Sequence, residues 1–112
     1  MSDVVELYDA ADRLKEEGKL EEAVAKLEAA LAIDAEYALA HSALAVILQR
    51  LGQHEEAVTH AARVCELDPN DPFSFTAMSV TYQRAYASTN NMDYIQLAED
   101  AMERSRQLSQ GM

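Results

Sequence analysis

Apolar residues recur along the chain at the spacing of amphipathic helices. The first such stretch has four of them at i, i+3, i+4 and i+7: Leu7, Ala10, Ala11 and Leu14. A second stretch also places its apolar residues on one helical face: Ala23, Leu27, Ala30 and Leu31. Continuing this pattern along the chain, we predict six helices, over residues 3–17, 20–34, 37–51, 54–67, 72–87 and 92–108.

The ends of the predicted helices carry residues suited to those positions. Residues 3–6 have the spacing of a capping box, in which Asp3 accepts from a backbone N–H of the first turn. Asp71 precedes Pro72, which is an N-cap followed by proline at the first helical position. Gly18 and Gly52 each follow a predicted helix, where glycine takes a positive φ without steric cost. These residues indicate short turns between helices.

The two glycines also mark an internal repeat. They lie 34 residues apart, and the segments that follow them, GKLEEAV and GQHEEAV, match closely. Downstream at the same offset, LAID over residues 31–34 corresponds to CELD over residues 65–68. Self-similarity at a fixed period indicates one structural unit used several times.

A 34-residue unit with two helices resembles the tetratricopeptide repeat. The family pattern is large-x2-Leu-small-x2-aromatic in a first helix, then Ala-x3-Phe and a closing proline. The second unit matches it with His41, Leu44, Ala45, Leu48, Ala57, Ala61 and Pro69. The first unit matches it with Leu7, Ala10, Ala11, Leu14, Ala23 and Leu27, and has Ala35 in place of the proline.

The third unit begins in the pattern and then departs from it. It opens with Phe75, Met78, Ser79 and Tyr82. Tyr86 then stands where the earlier units have glycine, and residues 87–91 read as an insertion. For the second helix of this unit we take Ala98-x3-Met102 as the register.

The resemblance implies an all-α fold, a right-handed superhelical solenoid of three antiparallel helix hairpins. We expect a single domain over residues 1–112, with repeats at about 4–37, 38–71 and 72–108. About three such units are needed before the stacked core is stable. The last helix then acts as a cap, with a polar outer face formed by Glu99, Asp100, Glu103, Arg104 and Arg106.

The resemblance also implies a concave groove, lined by the first helix of each repeat, that binds a partner peptide or helix. The helix faces not used by the core predict its partner-binding residues: Tyr8, Asp12, Leu39, Ala43, Val46, Gln49, Arg50, Phe73, Ala77, Val80, Gln83 and Arg84. The middle of this set is apolar, Arg50 and Arg84 recur at equivalent places, and the first repeat is acidic. We therefore expect a ligand with an apolar centre and charged ends. In the alternative interpretation, a neighbouring helix covers the apolar residues and the arginines only complement helix dipoles.

One common variant of the family binds the acidic C-terminal tails of cytosolic chaperones through Lys, Asn and Arg side chains. The matching positions here are Tyr8, Asp12, Ala43, Phe73 and Ala77. None of them carries such a side chain, which disfavours a chaperone-tail ligand.

Charge narrows the classes of partner. The chain has 112 residues, with 20 acidic against 9 basic side chains and a formal net charge of −11. Nucleic acids and anionic membrane surfaces are bound by clusters of Lys and Arg, so we expect neither. The first residues lack the basic start of a signal peptide, and the longest uncharged stretch, 37–49, is shorter than a bilayer span. With only one cysteine, the chain is expected to be cytoplasmic.

Residues suited to catalysis are few. His41 and His54 stand at packing positions of the repeat, and the spacing of His54 and His60 differs from a paired metal site. Cys65 lies in an apolar stripe without a cationic neighbour that would lower its pKa. We therefore predict no enzyme activity, no cofactor and no metal.

The alternative function is a self-associating scaffold. Either the groove or the third hairpin would then form the interface of a homo-oligomer. Aromatic and methionine side chains near the insertion would be its anchors: Tyr82, Tyr86, Met92 and Tyr94. Internal packing of the last hairpin accounts for the same four residues equally well.

Overall fold

The computed structural model describes residues 3–111, which form six α helices and, over that range, no strand. The helices are α1 (Val4–Glu16), α2 (Leu20–Ile33), α3 (Ala38–Arg50), α4 (His54–Leu67), α5 (Pro72–Thr89) and α6 (Asp93–Gln110). They pair as three antiparallel hairpins, α1–α2, α3–α4 and α5–α6. The all-α fold is confirmed, and each predicted boundary lies within two residues of the observed one.

The predicted N-caps are present. The Glu6 backbone N–H donates to Asp3 Oδ1 over 2.9 Å. The Phe73 backbone N–H donates to Asp71 Oδ1 over 3.0 Å, and Pro72 is the first residue of α5. Each aspartate satisfies one backbone donor that the helix itself leaves without a partner.

Left-handed backbone positions end the first helix of every hairpin. Gly18 has φ of +80° and Gly52 has φ of +82°, and a Cβ at either would meet no atom within 4 Å. Glycine is therefore favoured there by the backbone conformation and not by lack of space. In the third hairpin the helix continues past Tyr86 for about one more turn, and Asn90 takes the left-handed position with φ of 58°. The inserted residues thus lengthen α5.

The first two hairpins enclose a continuous apolar core. The buried cluster comprises Ala11, Ala23, Leu27, Ala30, Ala40, Leu44, Ile47, Leu48 and Ala57. Close packing of this kind makes the interior sensitive to changes of a single methylene group.

The third hairpin is joined differently. Tyr82 is only 8% exposed and stacks on Tyr94, with ring centroids 6.0 Å apart. The Ser79 hydroxyl donates to the Ala98 carbonyl over 2.8 Å. Ala98 is buried, as the chosen register requires. Stacked aromatic rings and hydroxyl hydrogen bonds therefore join α6 to α5, whereas the buried cluster of the first two hairpins consists of Ala, Leu and Ile side chains.

The stacking of the hairpins is curved. Helix α3 contacts both α1 and α5, whereas in the described residues α2, α4 and α6 make no comparable contacts with one another. The layer of α1, α3 and α5 is thus the compressed, concave side. The radius of gyration is 14.3 Å, above the value of about 13 Å expected for a compact domain of this length.

Candidate functional site

An open cleft lies on the concave side between α3 and α5, with α4 beneath it. We call it the α3–α5 cleft. It encloses about 520 Å³. Its lining is Ser42, Ala45, Val46, Gln49 and Arg50 of α3, Ala61 and Val64 of α4, Asp71, and Phe73, Ser74, Ala77, Met78, Val80, Thr81 and Arg84 of α5.

The centre of the cleft is apolar and accessible. Phe73 is 80% exposed, and Val46 and Val80 are also exposed although they are large apolar side chains. On α5, Ala77 lies between Phe73 and Val80, and its small side chain leaves the α4 side of the cleft uncovered. Contiguous apolar side chains left accessible on a concave face are typical of a binding surface.

The two ends of the cleft differ in charge. Because α3 and α5 are both antiparallel to α4, their C-terminal ends meet at one end of the cleft, which brings Arg50 and Arg84 to the same rim. Within the described chain neither arginine has a carboxylate within 4 Å. At the other end, Asp71 already accepts from the Phe73 N–H and from the Ser74 hydroxyl. The cleft therefore offers two cationic groups at one end for an anionic ligand group.

The structure brings together seven of the twelve predicted partner-binding residues. Those in the cleft are Val46, Gln49, Arg50, Phe73, Ala77, Val80 and Arg84. The other five lie elsewhere: Tyr8, Asp12 and Ala43 between α1 and α3, Leu39 at the start of α3, and Gln83 on another side of α5. The predicted groove is thus open mainly between the second and third repeats.

The contact between α1 and α3 is the structural equivalent of the cleft, one repeat earlier, and it is closed. It encloses only about 10 Å³. Every residue that lines it has its 34-residue equivalent in the α3–α5 cleft: Tyr8, Ala11, Asp12, Lys15, Leu27, Ala43 and Ile47 correspond to Ser42, Ala45, Val46, Gln49, Ala61, Ala77 and Thr81.

Three large-to-small differences account for the open cleft. Ser42 stands where the first repeat has Tyr8. Ala61 stands where it has Leu27, and Thr81 stands where α3 has Ile47. The side chains that fill the first contact are therefore missing from the second, which leaves a cavity. The signal was present in the sequence, because Ala61 occupies the position at which the repeat pattern has Phe.

The first repeat contributes less acidity to the groove than its sequence suggests. Lys15 Nζ lies 3.4 Å from Asp12 Oδ1. Tyr8 packs edge-on against Tyr37, with ring centroids 6.2 Å apart. Asp12 thus has a cationic neighbour on its own helix, whereas Asp9 and Glu16 are exposed.

Gln83 does not face the α3–α5 cleft. Its side-chain amide donates to the Ser79 hydroxyl over 3.2 Å, and it lines a separate cleft between α5 and α6. The equivalent Gln49 lines the α3–α5 cleft because a hairpin follows it along the solenoid. No hairpin follows Gln83 in the described residues, which explains why two equivalent glutamines border different clefts.

The structure joins two histidines that sequence analysis treated separately. His41 Nδ1 lies 2.9 Å from His60 Nδ1, and His41 Nε2 lies 2.9 Å from the Ala35 carbonyl oxygen. A carbonyl only accepts, so His41 carries its proton on Nε2, and the His60 Nδ1–H donates to His41 Nδ1. Burial lowers the pKa of His60, nearby His41 lowers it further, and Glu56 opposes the shift. His60 therefore takes its neutral form at neutral pH.

Metal binding and thiol reactivity depend on how the histidines and Cys65 are surrounded. Residues 3–111 contain no cluster of three or more His, Cys, Asp or Glu side chains arranged to hold a metal ion. Cys65 is buried, and its Sγ lies 3.4 Å from the Ser74 carbonyl oxygen. Burial, together with Asp71 and Glu66, raises the pKa of this thiol to about 11. A thiol held in its protonated form is a weak nucleophile.

The residues considered as anchors for self-association divide into two groups. Tyr82 and Tyr94 stack on each other inside the last hairpin, and Tyr86 is half-buried. Met92 is 67% exposed at the turn before α6. Internal packing thus accounts for the two stacked tyrosines, and Met92 is the accessible member of the set.

None of the helices in the described part of the chain combines the length and the apolar composition needed to cross a membrane.

Sequence comparison gives two family matches. A model of the TPR repeat matches residues 11–52, and a model of the tetratricopeptide repeat matches residues 38–71. The two matches overlap and together cover residues 11–71, most of the first two repeats. No curated protein sequence matches the chain significantly.

Solved structures of similar fold are numerous. MamA superposes with a TM-score of 0.82 at 14% identity, covering 97% of this chain and 60% of MamA. The second TPR domain of Spaghetti (RPAP3), bound to the HSP90 peptide SRMEEVD, has a TM-score of 0.75 at 20% identity, covering 96% and 93%. YrrB, described as a TPR protein with an unusual peptide-binding site, has a TM-score of 0.77 at 20% identity, covering 96% and 52%. The chain thus spans little more than half of MamA and YrrB.

Proposed function

Because the chain belongs to the tetratricopeptide repeat family, we propose that it is a protein–protein interaction module that binds a peptide or helix of a partner on its concave face. Two proteins of the same fold bind peptides: the Spaghetti domain binds an HSP90 peptide, and YrrB has a peptide-binding site. The proposal includes one domain of three repeats, at about 4–37, 38–71 and 72–108, acting in the cytoplasm.

The observation that carries the proposal is the open α3–α5 cleft beside its closed equivalent. Its volume of about 520 Å³ lies within the range of roughly 300–1,000 Å³ that is common for ligand pockets. The cleft is open because Ser42, Ala61 and Thr81 are small, and Phe73 stands exposed at its edge. A large apolar side chain of the ligand fits the α3–α5 cleft above Ala61, at the position that Leu27 fills between α1 and α3.

Charge indicates the rest of the ligand. Arg50 and Arg84 at one rim are suited to a carboxylate beside the apolar anchor. Towards the first repeat, exposed Asp9 and Glu16 favour a basic residue. We therefore propose a ligand segment with one large apolar residue, an acidic residue on the arginine side and a basic residue on the other.

The ligand differs from the HSP90 tail peptide of the Spaghetti complex. The family positions that bind such a tail are Tyr8, Asp12, Ala43, Phe73 and Ala77 in this chain. None of these side chains is cationic or an amide, and the Tyr8 hydroxyl is the single side-chain donor among them for the terminal carboxylates of an acidic tail.

A peptide-display library tests the proposal. Peptides selected by the wild-type protein should share a large apolar residue with Asp or Glu on one side. Ala61→Leu restores the side chain of the first repeat and should weaken their binding about tenfold or more, because it fills the cavity. Arg50→Glu with Arg84→Glu should weaken it similarly.

Lys26→Glu is the matched control for the charge reversals, because Lys26 is exposed on α2, away from the cleft. The Lys26→Glu variant should bind the selected peptides as tightly as the wild type does. Selection of no common motif, or selected peptides that bind Ala61→Leu as tightly as the wild type, would refute the cleft as the binding site.

A homo-oligomeric scaffold is the second candidate, favoured by the exposure of Phe73 and Met92. Light scattering over a range of protein concentrations separates the two functions. A dimer that dissociates on Phe73→Ser or Met92→Ser would favour the scaffold, and a monomer at every concentration would exclude it.

A further inference from the structure

Each hairpin of the solenoid presents a row of α-helical residues to the hairpin that follows it. In α4 this row is Val58, Ala61 and Cys65. Cys65 Sγ lies 3.8 Å from Met78 Sδ of α5, and Val58 packs against the cluster that contains Tyr82. The row is spaced i, i+3, i+7, and α5 covers it.

In α6 the buried Ala98 is equivalent to the buried Ala57 of α4, an offset of 41 residues. By the same offset, the α6 row that corresponds to the α4 row consists of Glu99, Met102 and Arg106. Together with side chains of α5 it lines a second cavity of about 470 Å³ between α5 and α6. We call this the terminal cleft. Ile95, Met102 and Tyr86 form its apolar part and are each only half-buried.

We infer that the terminal cleft binds an amphipathic helix of a partner protein, which packs on α5 and α6 as α5 packs on α3 and α4. The inference is independent of ligand binding in the α3–α5 cleft. It rests on the equivalence of the two rows, on the cavity beside the second one, and on its charges.

The packing of α5 on α4 gives the orientation and spacing of the bound helix. The α5 residues that meet the α4 row are Ser74, Met78 and Tyr82, at i, i+4 and i+8. Since α5 is antiparallel to α4, its N-terminal residue meets the C-terminal end of the row. A helix bound to α6 in the same way places residue i near Arg106, i+4 on Met102 and i+8 near Glu99.

Charge complementarity then specifies the occupant. Residue i is acidic, i+4 is apolar and i+8 is basic. This order also suits the occupant's own dipole, which favours acidic residues early in a helix and basic residues late. Among the described residues, Arg106 forms an ion pair only with Glu103, which is exposed and lies at i, i+3 on the same helix. Such exposed pairs contribute little to stability.

A second copy of the chain does not supply such a helix. In the whole sequence the one acidic–basic pair at i and i+8 within a helix is Glu55 and Arg63, with the polar Thr59 at i+4. The charges and the apolar anchor required by the terminal cleft thus do not occur together in any helix of these 112 residues, so a second copy of them does not match the cleft.

Two synthetic helical peptides test the inference. Both are alanine-based with Leu at i+4; the first has Glu at i and Lys at i+8, and the second has these two exchanged. Two exposed ion pairs should make the wild-type protein prefer the first peptide by about fivefold. The double variant Glu99→Arg with Arg106→Glu should prefer the second peptide, a reversal that no difference in peptide helicity produces.

NMR identifies the surface that binds. The methyl signals of Ile95 and Met102 should shift on titration with the first peptide, and those of Val46 and Val80 in the α3–α5 cleft should stay in place. The result overturns the inference if neither peptide binds at millimolar concentration, if the preference does not reverse in the double variant, or if Val46 and Val80 shift instead. A dimer of the protein alone that Met102→Glu dissociates would also overturn it, because a second copy would then occupy the cleft.

Discussion

Single side chains decide whether a contact between two repeats is closed or open. Leu27 is fully buried between α1, α2 and α3, whereas its equivalent Ala61 lines the α3–α5 cleft. The two positions are equivalent in the repeated backbone, but their side chains differ in size. The proposed binding surface therefore exists because the contact between α3 and α5 lacks the large side chains that close the contact between α1 and α3.

This difference predicts opposite effects of two substitutions. Leu27→Ala removes a fully buried side chain and should lower the free energy of unfolding by about 3 kcal/mol. Ala61→Leu adds apolar area to an existing cavity and should raise it by about 1 kcal/mol. Urea denaturation measures both. A loss of stability in Ala61→Leu would show that the cleft has no room for the added side chain.

The glycine turns give a second prediction at this scale. At φ of +82°, Gly52→Ala should cost about 1 kcal/mol, because the left-handed region is unfavourable for a residue with a Cβ. Gly52→Asn should cost less, since asparagine tolerates this region and Asn90 occupies it in the third hairpin. Equal denaturation midpoints for the two variants would contradict the backbone explanation, because a Cβ at this position meets no neighbour.

At the scale of helices, local signals made the elements predictable. The Asp3 and Asp71 caps and the two glycines act within a few residues, so the sequence alone located the helix ends. Seven of the twelve proposed binding residues met in one cleft because the 34-residue period places them on equivalent faces. The placement of Gln83 depended on a neighbouring hairpin, which its own helix does not reveal.

The contact between His41 and His60 could not be predicted from the sequence either, because it depends on how two helices pack. The two residues are 19 positions apart and lie on different helices, and their hydrogen bond requires the α3–α4 packing distance. His41 also binds the Ala35 carbonyl, between α2 and α3. One pair of hydrogen-bonded imidazole rings thus connects α3 and α4 with the turn that precedes α3.

This connection predicts a loss of stability in acid. The pKa of His60 is lower in the folded protein than the ordinary value of 6.5. The unfolded chain therefore binds more protons below that pH, and folding stability falls as the pH drops through 6.5 towards the lowered value. Urea midpoints measured between pH 5 and pH 8 should show this fall, and His60→Gln should flatten it. His54→Gln is the control, and an equally reduced slope in that variant would exclude the His41–His60 pair as the cause.

At the scale of the whole molecule, the solenoid is polarised in charge as well as in packing. Residues 1–37 carry 11 acidic and 4 basic side chains, whereas residues 72–112 carry 4 and 3. Like charges concentrated at one end repel one another in the folded state. The closed, leucine-packed end of the solenoid is therefore also its most acidic end, and the two open clefts lie towards the less charged end.

The charge gradient predicts that one substitution has different effects at the two ends. Glu28 on α2 and Glu99 on α6 are both exposed, and neither pairs with a cation within 4 Å in the described chain. Glu28→Lys should raise the free energy of unfolding more than Glu99→Lys, by about 0.5 kcal/mol, because it relieves more repulsion. The difference should disappear near 1 M salt, where the screening length is about 3 Å. If the two variants have equal stability at low salt, or if their difference persists at high salt, local packing and not the charge gradient determines the effect.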